Sequence, residues 1–190
     1  MVGTALLGLF LLIATYTDMR WRIIHNSTAY SGTAAAWIAS GWASWVGVDS
    51  ASAPPRVAAW YGLVSLPDSL LGTLACGALM LVAYVCFASE VGGGDVKLLA
   101  MIGGFLGPYD GLEAMLWTMV IAGVLAVLVL VWRVGTFRLA SLLGRHLMAA
   151  AQGIRPALSD EERSVLRSEL FLSPSALLAV VVVRFGWVGG

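Results

Sequence analysis

Residues 112–133 read LEAMLWTMVIAGVLAVLVLVWR, with Glu113 near one end and Arg133 closing the other. About 20 helical residues cross the roughly 30 Å hydrocarbon core of a bilayer, and this run has that length and no polar face to turn to water. Five further apolar segments surround it, at residues 2–17, 28–48, 68–89, 96–107 and 174–188. The segment at 96–107 is too short for a standard span and is expected to be a short or tilted crossing, or a re-entrant element. The rest of the chain agrees: 59% of the 190 residues are hydrophobic and 12% charged, with mean hydropathy +0.88. An ordinary soluble domain carries roughly twice that charged fraction. The expected fold class is therefore all-α, a polytopic membrane protein of about six transmembrane helices, forming a single membrane-embedded domain over residues 1–190.

Lys and Arg positions orient the chain. With the N-terminus outside, Arg20, Arg22, Lys97, Arg133, Arg138, Arg145, Arg155, Arg163 and Arg167 fall on or near the cytoplasmic side, leaving Arg56 outside and Arg184 near the far end of the last segment. Nine of the eleven cations then obey the positive-inside rule. The opposite threading exports those nine. The connection at 49–67, rich in Pro and Ser, is external, with Val57 to Leu66 expected to lie in the interface or to lengthen the third segment. A long loop at 134–173 faces the cytoplasm. Phe137 to Met148 mixes cations with leucines as a helix resting on an anionic leaflet does, and Ser159-Asp160-Glu161-Glu162 has the spacing of a capping box ahead of a second short helix ending near Phe171.

Several function classes drop out. A formal net charge of zero and no dense Lys/Arg stripe leave no footprint for nucleic acid. Cys76 and Cys86 stand ten residues apart in an apolar block, which is neither a CxxC nor a zinc-ligand spacing, so they are expected to pack. No cofactor or metal is expected. The first segment has no preceding positive charge and no A-x-A site after it, so it reads as a retained helix rather than a cleaved signal. The tryptophans near segment ends, including Trp21, Trp60, Trp132 and Trp187, fit an interfacial belt.

The chemistry concentrates in two acidic residues. Asp18 closes the first segment in Asp18-Met19-Arg20-Trp21-Arg22-Ile23-Ile24-His25-Asn26, and Asp95 follows three glycines in Gly92-Gly93-Gly94-Asp95-Val96-Lys97. By the threading above both reach the cytoplasmic edge. Ionisable groups at such depth are costly and so are candidates for function. A carboxylate pair can hydrolyse a peptide: one ionised Asp draws a proton from water while a protonated partner polarises the scissile carbonyl. Like charges a few ångströms apart resist joint ionisation, so the pair holds the single proton required. The glycines permit left-handed torsions and close approach of another backbone, so an extended substrate can lie beside Asp95.

Plainer roles compete with this. Asp95 can N-cap a helix starting at Val96, and Asp18 can pair with Arg20 or Arg22. Arg20, Arg22 and Lys97 serve either to tune the aspartates or to anchor the cytoplasmic edge. Glu90 is a rival carboxylate, on the other side of the glycines.

The pattern Asp18-x-Arg20-x-Arg22-x-Ile24-x-Asn26 resembles the first conserved block of the prepilin peptidases. Gly92-x-Gly94-Asp95-x-Lys97, continued through Leu98 to Gly107, resembles their second, the GxGD block. The resemblance covers the chain to about residue 133 and implies a membrane aspartyl endopeptidase of the cell inner (cytoplasmic) membrane. It would cleave the basic leader from prepilins or pseudopilins on the cytoplasmic side, with Asp18 and Asp95 catalytic and Gly92, Gly94, Lys97, Arg20, Arg22 and Asn26 supporting. His25 stands where the family usually has proline. Larger members add a zinc-binding CxxC domain and methylate the product. With no CxxC, this chain resembles the short, peptidase-only form associated with tight-adherence pili, and methyltransferase activity is not expected. The competing classes are a small membrane transporter, which would want its carboxylates nearer mid-membrane and some internal symmetry, and a non-catalytic subunit of a secretion apparatus.

Overall fold

The computed structural model describes residues 1–21, 25–86, 92–134, 148 and 172–184. Among them every regular element is a helix: α1 (Val2–Trp21), α2 (Asn26–Val46), α3 (Pro55–Tyr61), α4 (Leu66–Cys86), α5 (Gly93–Leu106), α6 (Pro108–Val134) and α7 (Leu172–Arg184). The six apolar segments correspond to the six helices other than α3. Three helices, over Val2–Trp21, Leu66–Cys86 and Pro108–Trp132, are long and apolar enough to cross a membrane, and α7 is a shorter apolar helix. Their outer surfaces are those of a membrane protein: Leu12, Leu74 and Val85 are each more than half exposed, which water would penalise and lipid would not.

The connection at 49–67 does not lengthen α4, one of the two forms expected of Val57 to Leu66. Pro55 starts a separate short helix, as its fixed φ suits an N1 position, and Gly62, with φ +60°, ends it. Upstream, Asp49 is almost fully buried and accepts hydrogen bonds from Ser44 Oγ (2.7 Å) and from the backbone N–H groups of Ala51 (3.2 Å) and Ser52 (2.7 Å). Burial pushes this carboxyl up, but those donors outweigh it and hold it below its ordinary value.

The chain divides into two compact units, Met1–Met119 with Phe171–Gly190, and Val120–Leu170. The second is described only over residues 120–134 and 148, so the helices expected at 137–148 and 159–171 lie almost wholly outside the described residues. The first unit is built around α5. A 14-residue helix is only about 21 Å long, yet Leu98, Leu99, Met101, Ile102, Gly103, Gly104, Phe105 and Leu106 are all buried, because α1, α2, α4 and α7 pack on it. A helix apolar all round belongs inside. Small residues let the backbones close: a Cβ on Gly103 would strike Gly72 O, Gly72 C at 2.7 Å and Cys76 Sγ at 2.8 Å, and one on Gly32 would strike Met101. Ser69 Oγ also donates to Gly104 O at 2.6 Å. Cys76 packs in this contact as expected, whereas Cys86, also expected to pack, is exposed.

One end of this unit is tied together by Arg184. Its Nε donates to Thr4 Oγ1 (2.9 Å), Nη2 donates to Gly62 O (2.6 Å), and Nη1 lies 3.8 Å from Asp110 Oδ2. These partners explain how Arg184, one of the two cations that depart from the charge rule, is accommodated. They also fix α7 antiparallel to α1, since the other end of α7 meets the other end of α1.

Candidate active site

At that opposite end the two aspartates come together. Asp18 is not beyond α1 but in its last turn, since the helix continues to Trp21. Its Oδ2 accepts a hydrogen bond from Ser173 Oγ, in the first turn of α7. Asp95 lies in the first turn of α5, and the two carboxyl groups are near enough to interact electrostatically. Both are partly buried.

Asp95 does have a capping role, though not the one expected. The helix begins at Gly93 rather than Val96, which places Asp95 at the third helical position, where Oδ2 accepts the N–H of Gly92 at 3.2 Å. Gly92 has no side chain to complete a reciprocal box, so only half of that motif exists. The glycines do not act through left-handed torsions. Gly92 is extended (φ −80°, ψ 142°), Gly93 and Gly94 are helical, and the positive-φ glycines among the described residues are Gly47, Gly62 and Gly107. Among the described residues, a Cβ on Gly93 would meet nothing within 4 Å.

Lys97 joins the two sequence blocks. Its Nζ donates to Asn26 Oδ1 at 2.7 Å and lies 5.1 Å from the centre of the Tyr30 ring. Asn26 opens α2, and Tyr30 follows one helical turn later on the same face. The described partners of Lys97 are thus an amide and a ring, an arrangement that braces α5 against α2. His25, at the N-cap of α2, offers no capping side chain and sets its ring 6.1 Å from that of Trp21. Arg20 is exposed at the end of α1, where a cation complements the helix dipole. Arg22 and Glu90 lie outside the described residues.

Two participants escaped the sequence reading. Tyr30 was detectable in principle, four residues after Asn26. Ser173 carried only a weak signal, a small hydroxyl residue ahead of Pro174 at the start of an apolar run; nothing local ties it to a residue 155 positions away.

A family model described as the type IV leader peptidase family matches residues 5–127, and the chain belongs to that family. The matched region contains both aspartates and every described supporting residue. No curated protein and no solved structure matches the chain.

Proposed function

We propose that this protein is a membrane aspartyl endopeptidase that removes the N-terminal leader from a prepilin or pseudopilin, with Asp18 and Asp95 as its catalytic pair. The observation that carries the reading is the meeting of two acidic side chains from α1 and α5, each with a hydrogen-bond donor of its own, within a family match to leader peptidases. In this mechanism the ionised member takes a proton from water as the oxygen attacks the scissile carbonyl. The protonated member donates to the carbonyl oxygen. Collapse of the adduct breaks the C–N bond: the departing nitrogen takes the proton held by one carboxyl, a hydroxyl of the adduct gives its proton to the other, and the pair is again singly protonated. The exposed backbone of Gly92 and Gly93, where α5 begins, gives the extended cleavage segment a place near the Asp95 end of the helix.

The orientation belongs to the same proposal. All six apolar segments cross the cytoplasmic membrane, with α5 a short crossing enclosed by its neighbours and the N-terminus outside. Asp18, Asp95, Arg20 and Lys97 then share the cytoplasmic edge, where a basic leader and water both have access while the apolar helix of the substrate stays in lipid.

Asp18→Asn and Asp95→Asn are each expected to abolish cleavage of a co-expressed prepilin, read as a mobility shift, while the variants stay inserted and abundant. Glu90→Gln is the control and retains most activity. Near wild-type cleavage by either Asn variant would refute the assignment.

A further inference from the structure

Asp18 receives a hydrogen bond that no part of the two sequence blocks supplies. The donor, Ser173, is fully buried, and its hydroxyl proton points to Asp18 Oδ2. An aspartate carboxyl turns broadly about its last torsion unless something holds it. A pair that must share one proton and one water tolerates little of that freedom, because reactivity depends on alignment within a few tenths of an ångström. The helix that brings Ser173 is itself held at both ends. Arg184 binds Thr4 and Gly62 at one end, Ser173 binds Asp18 at the other, and between them α7 packs on both α1 and α5, the two helices that carry the aspartates. That double attachment fixes the register of α7 along α1, so the hydroxyl cannot slide off its acceptor without breaking the Arg184 cluster. The first turn of α7 also brings the positive end of its dipole to a group that must carry negative charge for part of the cycle.

We infer that Ser173 is a positioning residue for the proposed pair, a hydroxyl from the last helix that holds the Asp18 carboxyl in one orientation beside Asp95. The inference rests on the dyad reading. It adds that the site includes a third residue, lying beyond residues 5–127 that the family model matches.

The test is steady-state cleavage by purified full-length protein, with a peptide probe carrying a basic leader, a glycine and the apolar segment that follows. Ser173→Ala removes the donor without adding bulk, and kcat is expected to fall about 10- to 100-fold while KM stays within about twofold. Ser173→Thr restores the hydroxyl and is expected to recover most of that loss. If the extra methyl of Thr prevents accumulation, Ser173→Cys takes its place and should fall between Ala and wild type, since a thiol is a weak donor. The inference is overturned if Ser173→Ala cleaves at the wild-type rate. It is equally overturned if the Ala variant only loses thermal stability, or if the restoring variant is no better than Ala. Asp18→Asn, measured alongside, separates the two readings. If that variant remains active the dyad itself fails, whereas a dead Asp18→Asn beside a fully active Ser173→Ala sinks only the role of Ser173.

Discussion

Gly93 and Gly103 occupy the same helix for two different physical reasons, and alanine at each position separates them. At Gly103 an added Cβ would sit 2.7 Å from Gly72 C and 2.8 Å from Cys76 Sγ, and closer still to Gly72 O. Two of those neighbours are backbone atoms of α4 and cannot swing away, so the α4–α5 contact must open by about 1 Å to reach ordinary van der Waals distance. Overpacking of this kind costs about 1–3 kcal/mol and more where backbone must move; the clash on several atoms at once puts Gly103→Ala at the upper end. Because Asp95 rides on α5, the same shift displaces it from Asp18, so stability and cleavage should fall together. At Gly93 the added Cβ meets nothing within 4 Å among the described residues. Gly93→Ala should leave stability unchanged within about 0.5 kcal/mol and lower cleavage alone, by crowding the surface offered to the substrate backbone. The assay is thermal unfolding in detergent micelles beside prepilin cleavage. A Gly103→Ala protein as stable as wild type would refute the packing argument. A fully active Gly93→Ala protein would refute the proposal that substrate lies against that face.

Further expectations concern the rest of the frame. Lys97→Met and Asn26→Ala should each cost about 1 kcal/mol, and the double variant should cost little more than either, because one charge-assisted hydrogen bond is being removed twice; additive losses in a stability cycle would show that the two do not cooperate. Asp49→Asn should destabilise the protein at neutral pH. Since the folded-state value of this carboxyl is depressed, its contribution is complete above the unfolded value near pH 4 and vanishes as pH falls through the folded value, so the gap between wild-type and variant melting temperatures must close on acidification; a constant gap refutes the assignment. For the orientation, with exposed Cys86 replaced by alanine, a cysteine at Ser27 should be shielded from a membrane-impermeant thiol reagent in intact cells and one at Ala51 labelled. The reverse pattern would invert the topology and detach the site from the cytoplasmic face.

Where the chain repeats a physical rule, the sequence was a good guide. The segments at 2–17 and 68–89 became α1 and α4, displaced by only a few residues at each end, because apolar length is a local property. The errors cluster at helix starts. A helix starting at Val96 would leave Gly92 to Gly94 outside it, since glycine is intrinsically poor in helices, but α5 begins at Gly93, and the packing of its buried stretch from Leu98 to Leu106 outweighs that preference. Val57 to Leu66 read as one apolar stretch, whereas Gly62 breaks it. The pairing of Asn26 with Lys97, and of Ser173 with Asp18, depends on how helices pack and leaves no mark on either local sequence.

The depth of Asp95 follows from the same packing. A helix of ordinary spanning length would carry its first turn into the headgroup region, fully hydrated, where a carboxyl has no reason to share a proton. α5 is shorter than α1, α2 and α4, which pack on it together with the equally short α7, and Asp95 in its first turn is only partly exposed. Asp18, by contrast, sits one turn before the end of the longer α1. In the proposed orientation the two carboxyls meet because α1 ends and α5 begins on the same side of the membrane, at an edge that water reaches. Under this account, adding a turn of alanines ahead of Gly92 leaves Asp95 in place, whereas inserting the turn between Leu99 and Gly103, on the Asp95 side of the Gly103–Gly72 contact that fixes the register of α5, would move it by about 5 Å relative to Asp18; the second insertion should end cleavage and the first should not.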